Sequence, residues 1–165
     1  MPFTVRATDA SELEQGADPA QVAVENALRK ARAACTADVD ELVIGCDTIV
    51  VLDGVIYGKP ADAAASRATL GALGGRTHEV LSGLAVLVAG QERTALARTR
   101  VTFRALEGEL LDAYVATEEW RGRSGGYAIQ GAGADLATAL EGEEENVVGL
   151  PLGVLLELCP ELLER

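Results

Sequence analysis

Apolar residues run almost unbroken through "ELVIGCDTIVVL" (41–52), with many β-branched side chains and one internal charge, Asp47. That pattern predicts a buried strand, followed by an Asp53-Gly54 turn and a short return strand, "VIYG". Upstream, "DPAQVAVENALRKARAAC" (18–35) carries helix-start chemistry: Asp18 as cap, Pro19 in the first turn and Gln21 three residues after the cap. "ADAAASRATLGAL" (61–73) predicts a helix that stops at Gly74-Gly75. "HEVLSGLAVLVAG" and "RTALARTRVTFR" predict a hairpin around Gly90, with Gln91 and Glu92 near its tip. "EGELLDAYVATEEW" (107–120) predicts a further amphipathic helix with Leu110, Leu111, Tyr114 and Val115 on one side. The glycine-rich "GGYAIQGAGA" (125–134), an acidic loop "EGEEEN" and an apolar helix from about Pro151 complete the chain. Strands mixed with helices and no dividing linker place the 165 residues in one α/β domain, a mixed twisted sheet with flanking helices.

Composition narrows the partners. Fourteen Lys and Arg against 26 Asp and Glu give a net charge of -12, which repels nucleic acid and anionic membrane surfaces. An anionic ligand then needs local cations or a divalent metal. Three cysteines without Cys-x-x-Cys spacing read as buried free thiols of a reducing cytoplasm, and one histidine makes zinc a poor fit. The polar, acidic start does not read as a signal peptide, and no apolar run is long enough to span a bilayer.

Five places could carry chemistry. Asp47, inside so apolar a strand, either caps or pairs, or serves as metal ligand or base toward a water. Lys59 sits in a stiff Gly-Lys-Pro turn and suits a phosphate, although a solvent-facing turn lysine is the plainer reading. His78 opens a strand and reads as a locally satisfied core histidine. Lys30 and Glu25 read as ordinary solvated helix charges. In "WRGRSGGYAIQG", Arg121 and Arg123 bring charge beside flexible backbone. Gln130 there offers both donors and an acceptor, suited to reading a ring edge, while the glycines suit an edge strand or close approach to a flat ring.

The ordered set "GCDTIVVLDG", "YGKPAD", "LGGRTHEVLSG", "VTFRAL", "AYVATEEW", "GRSGGYAIQGAGA" and "NVVGLPLGVLLEL" resembles the Maf family of nucleoside triphosphate pyrophosphatases, also called septum formation inhibitor proteins. The resemblance runs from roughly Pro2 to the C-terminus. It implies an α/β fold with two lobes around a central cleft, and hydrolysis of nucleoside triphosphates to monophosphate and pyrophosphate with Mg²⁺ or Mn²⁺. By resemblance, Asp47 is the proton acceptor and a metal contact, Lys30 and Lys59 are catalytic cations, and Thr48 bears on substrate choice. Gln130 matches the branch acting on dTTP and UTP, modified pyrimidine nucleotides included, and disfavours a purine-selective member. Arg123 stands where the family has a lysine, keeping the charge with different geometry. A cytoplasmic homodimer is the expected form. The family's Ser-x-Ser-Pro-Arg-Arg segment does not occur in these residues, so residues 1–165 read as an N-terminally shortened domain. That departure leaves a second reading open, a non-catalytic nucleotide-binding or division-regulating relative.

Overall fold

Strand β1 (Val43–Leu52) turns through Asp53 and Gly54, both at positive φ, into β2 (Val55–Tyr57). β3 (Thr77–Val88) and β4 (Gln91–Phe103) form the long hairpin, and β5 (Ala137–Glu141) closes the far edge. The sheet order is β2-β1-β3-β4-β5, every ladder antiparallel. In this computed structural model, residues 3–16, 18–36 and 41–163 are described, so the start of the resemblance at Pro2 lies outside them. The α/β class read from the sequence holds, with the mixed ladder replaced by an antiparallel one. No described helix is long and apolar enough to cross a membrane.

Helix α1 (Pro19–Ala34) begins as its sequence dictates, with the Asp18 side chain accepting from the Ala20 amide and proline in the first turn. It packs flat on β1 and β3 through Ala23, Ala27 and Ala31, all fully buried. The flat seat exists because Gly45 and Gly83 lie beneath it. A Cβ on Gly83 would stand 2.5 Å from the Val24 amide nitrogen, and closer still to the Ala23 carbonyl. A Cβ on Gly45 would stand 2.8 Å from the Ala31 nitrogen. Residues of β1 alternate across the sheet: Val43, Ile49 and Val51 meet α1, whereas Val50 and Leu52 join the opposite core. That core includes Phe103 and Val101 of β4, Leu70 and Leu73 of α2 (Ala63–Leu73), and Leu111 and Tyr114 of α3 (Gly108–Ala116).

Several expectations shift. The hairpin tip is Ala89-Gly90, a two-residue turn with both φ positive, so Gln91 and Glu92 already belong to β4. Leu110 is exposed, because α3 is short and turns Leu111 and Tyr114 inward instead. "EGEEEN" is not simply a solvated loop. Glu144 and Glu145 stay exposed, but they start a short helix, α4 (Glu144–Val148), whose Asn146 is completely buried. "YAI" forms no strand; the glycine-rich stretch runs through 3₁₀ turns at 124–126 and 132–136. Helix α5 (Leu152–Leu158) follows Pro151 as expected. All three cysteines are free, but Cys35 is exposed at the end of α1, and only Cys159 is fully buried.

Candidate active site

The β1–β2 ladder covers only Val50–Leu52, so residues 43–49 of β1 have no strand partner on that side among the described strands. A cavity of about 460 Å³ opens there, within the range of small-molecule sites. Alternation along β1 turns Asp47 toward α1, while Thr48 lies on the other face, and the cavity reaches both.

Asp47 is only 6% exposed, and burial of a carboxylate demands partners. Lys30 donates to its Oδ1 at 2.6 Å, and the Asn26 amide donates to its Oδ2 at 3.0 Å. Lys30 also meets Glu12 Oε1 at 2.9 Å, so one ammonium bridges two carboxylates. Burial pulls the Lys30 ammonium toward neutrality, but its hydrogen bonds to Asp47 and Glu12 outweigh this and raise its pKa. The same contact with Lys30 lowers the Glu12 carboxyl. Asn26 also holds the preceding segment, accepting from the Leu13 amide at 2.7 Å and donating to the Leu13 carbonyl at 3.0 Å.

Lys30 is therefore no solvated helix charge. Glu25, grouped with it from sequence, pairs with Arg29 instead. Asn26 and Glu12 were missed. Asn26 was visible in principle: it precedes Lys30 by four residues and lies in the stripe Val22, Ala23, Asn26, Ala27, Lys30, Ala31 that faces the sheet. Glu12 sits in a segment outside any helix or strand, with no period to betray it.

Around the rest of the cavity stand Thr48, Lys59, Arg123 and Gln130, all four from the sequence reading. Lys59 is exposed on its turn, which is tied to the glycine-rich stretch by the Gly125 amide donating to the Gly58 carbonyl at 3.1 Å. Gly125 has φ 70 and presses on Val50, so its close approach serves the protein's own packing. Arg121 points elsewhere, pairing with Glu118 and stacking over Trp120 at 4.6 Å. Thr48 Oγ1 and Ser82 Oγ are 2.7 Å apart, and Ser82 donates to the Asn146 carbonyl at 3.3 Å. Asn146 in turn donates to the Val80 carbonyl at 3.0 Å and to Thr99 Oγ1 at 3.1 Å. This buried chain pins α4, whose Val147 and Val148 form one cavity wall.

His78 lies in the core outside the cavity lining, its Nε2 2.9 Å from the Tyr127 hydroxyl, a partner far away in sequence. Burial pushes it down to about 4, so it is neutral at pH 7. Cys46 neighbours Asp47 but donates to the Gly149 carbonyl at 3.1 Å, and burial pushes its thiol up to about 11, leaving it unreactive.

The donor set bears on a metal. Among the described residues no group of three or more His, Cys, Asp or Glu converges. Asp47 and Glu12, which share one ammonium, are hard oxygen donors of the type a magnesium-like ion takes.

Known proteins resemble this chain over nearly its whole length. The profile of the family described as "Maf-like protein" matches residues 1–162. A dTTP/UTP pyrophosphatase of Moorella thermoacetica is 45% identical over 161 residues, covering 96% of this chain and 83% of the relative. The dTTP/UTP pyrophosphatase of Symbiobacterium thermophilum is 43% identical over 92% of this chain and 79% of its own. That of Pyrococcus furiosus is 40% identical over 86% and 74%.

Proposed function

The chain belongs to the Maf family, and from that premise we propose that it hydrolyses dTTP and UTP to the nucleoside monophosphate and pyrophosphate. The observation that carries the reading is the Lys30–Asp47 pair lining the same cavity as Gln130, Lys59 and Arg123, with Glu12 joined to it through the Lys30 ammonium. A nucleotide fits with its phosphates toward the lysines and its base toward Gln130.

Water adds to the α-phosphorus, the bond from that phosphorus to the bridging oxygen breaks, and pyrophosphate leaves. Asp47 takes the proton of the attacking water. Its Oδ2 is fixed by Asn26 and its Oδ1 by Lys30, so the carboxylate is oriented before substrate arrives. Lys30, Lys59 and Arg123 stabilise negative charge growing on the phosphates and leaving group. Lys59 and Arg123, both exposed, offset the chain's overall negative field where an anion must enter. Asp47, with Glu12 beside the same ammonium, would hold a Mg²⁺ or Mn²⁺ ion, which when bound would supply further charge neutralisation at the phosphates. Gln130 pairs with the pyrimidine edge through its amide, and the Thr48 methyl and hydroxyl shape the wall beside it.

The test is pyrophosphate release from a nucleotide panel with Mg²⁺ or Mn²⁺, native chain beside Asp47→Asn. Release from dTTP and UTP well above that from dATP or dCTP is expected of the native chain, and at least a hundredfold loss in the variant follows from removal of a general base. Undiminished release by a folded Asp47→Asn chain would remove Asp47 from the chemistry.

A further inference from the structure

Gln130 is exposed and has no partner among the described hydrogen bonds, yet the backbone on both sides of it is held. Before it, the Ala128 amide donates to the Tyr114 hydroxyl at 3.0 Å. After it, the Ala132 and Gly133 amides donate to Glu119, to Oε1 at 3.1 Å and Oε2 at 3.4 Å. Glu119 also lines the cavity. Gly131 lies close against the Glu119 carboxylate, since a Cβ there would stand 2.5 Å from Oε1.

Glu119 is itself fixed. Its amide donates to Thr117 Oγ1 at 3.2 Å, and Glu118 before it takes a left-handed φ of 61 that L-residues seldom adopt. Trp120 after it is buried, with its indole N–H donating to the Val115 carbonyl at 3.0 Å. A strained residue on one side and an anchored indole on the other aim one carboxylate at two backbone amides. Burial, with the Glu119 charge nearby, pushes the Tyr114 phenol up to about 12, so that partner stays neutral across the working pH range.

We propose that Glu119 is a positioning residue for base recognition: with Tyr114 it clamps backbone 128–133, so that the Gln130 side chain stands ready and unpartnered at the cavity. This deepens the assignment of Gln130 as base reader and rests on it. Fixing the loop beforehand removes an ordering cost that pyrimidine binding would otherwise meet. It also keeps the amide from turning over to suit a different base edge. Glu119 touches neither phosphate nor attacking water in this scheme.

The experiment measures kcat and KM on dTTP and dCTP for Glu119→Ala, Glu119→Gln, Gln130→Ala and the Glu119→Ala/Gln130→Ala pair, with thermal melts of each. Glu119→Ala is expected to lower the dTTP-to-dCTP ratio of kcat/KM by about tenfold, chiefly through KM, and Glu119→Gln, with one acceptor oxygen left, by less. In the Gln130→Ala background, removing Glu119 should change the ratio no further, since the two act as one unit. Should Glu119→Ala fail to fold, Tyr114→Phe loosens the other end of the clamp and should move the ratio in the same direction. An unchanged ratio in Glu119→Ala, or in Tyr114→Phe if that stands in for it, overturns the clamp alone if Gln130→Ala shifts it. If Gln130→Ala leaves it unchanged too, the base-reader assignment falls as well. An equal fall in kcat on both nucleotides would place Glu119 at the reacting end, and that also overturns the proposal.

Discussion

Gly83 lies one strand away from the Asp47 chemistry, yet Gly83→Ala should damage both stability and turnover. The new methyl would stand 2.5 Å from the Val24 nitrogen, where ordinary contacts begin near 3.4 Å. Its neighbours are helix backbone, which cannot swing aside as a side chain can. Helix α1 must therefore lift by about 1 Å or the strand must buckle, an overpacking that costs about 2–3 kcal/mol. For a chain of this size that lowers the melting temperature by about 4–12 °C. Lifting α1 also withdraws Lys30 from its 2.6 Å contact with Asp47, and misplacement by about 1 Å costs about a hundredfold in rate. Gly71→Ala is the control. Its Cβ would meet only Leu111 Cδ2, at 4.0 Å, inside α2, so it should be neutral or slightly stabilising. Thermal melts by circular dichroism and pyrophosphate release on dTTP read both effects. A Gly83→Ala chain melting within a degree of the parent, with its kcat intact, would refute the tight-seat account of Lys30.

Asn146→Ala strips the Val80 carbonyl and Thr99 hydroxyl of a buried partner and frees α4, so a stability loss of about 2–4 kcal/mol in urea titration, with a raised KM for dTTP, is expected. Stability should also fall on acidification from pH 7 to pH 5: buried His78 titrates near 4 folded and near 6.5 unfolded, so the unfolded chain binds the extra proton and gains about 2 kcal/mol. Urea titrations at the two pH values should show that loss in the native chain and a much smaller one in His78→Gln.

Elements with a local signature were legible: Asp18-Pro19 started α1, Asp53-Gly54 made its turn, and the β-branched run of β1 became a strand paired across most of its length. What escaped depended on partners distant in sequence. "EGEEEN" looked solvated because four glutamates outvoted one asparagine, whereas Asn146 finds its acceptors on β3 and β4, 66 and 47 residues away. Lys30 looked solvated for the same reason, since Asp47 and Glu12 approach only after α1 seats on the sheet. Lys59, Thr48, Arg123 and Gln130 were placed by motif resemblance, and the fold brings them to one cavity. Of the two readings open for "GGYAIQGAGA", the edge strand fails, because glycines allow several backbones and the contacts of Gly125 with Val50 choose among them.

The open edge of β1 has another consequence, in how the chain behaves at high concentration. Val43–Leu52 is the kind of segment that stacks on copies of itself: long, β-branched, without proline, and with residues 43–49 unpaired on one side among the described strands. Its one charge is Asp47. The carboxylate proposed to accept the proton thus also acts as a gatekeeper against strand-to-strand self-association whenever the chain is partly unfolded. Replacing it with a neutral amide removes both roles together, so an Asp47→Asn preparation should precipitate more readily during refolding. Its lost activity then has meaning only in the fraction that remains folded and in solution.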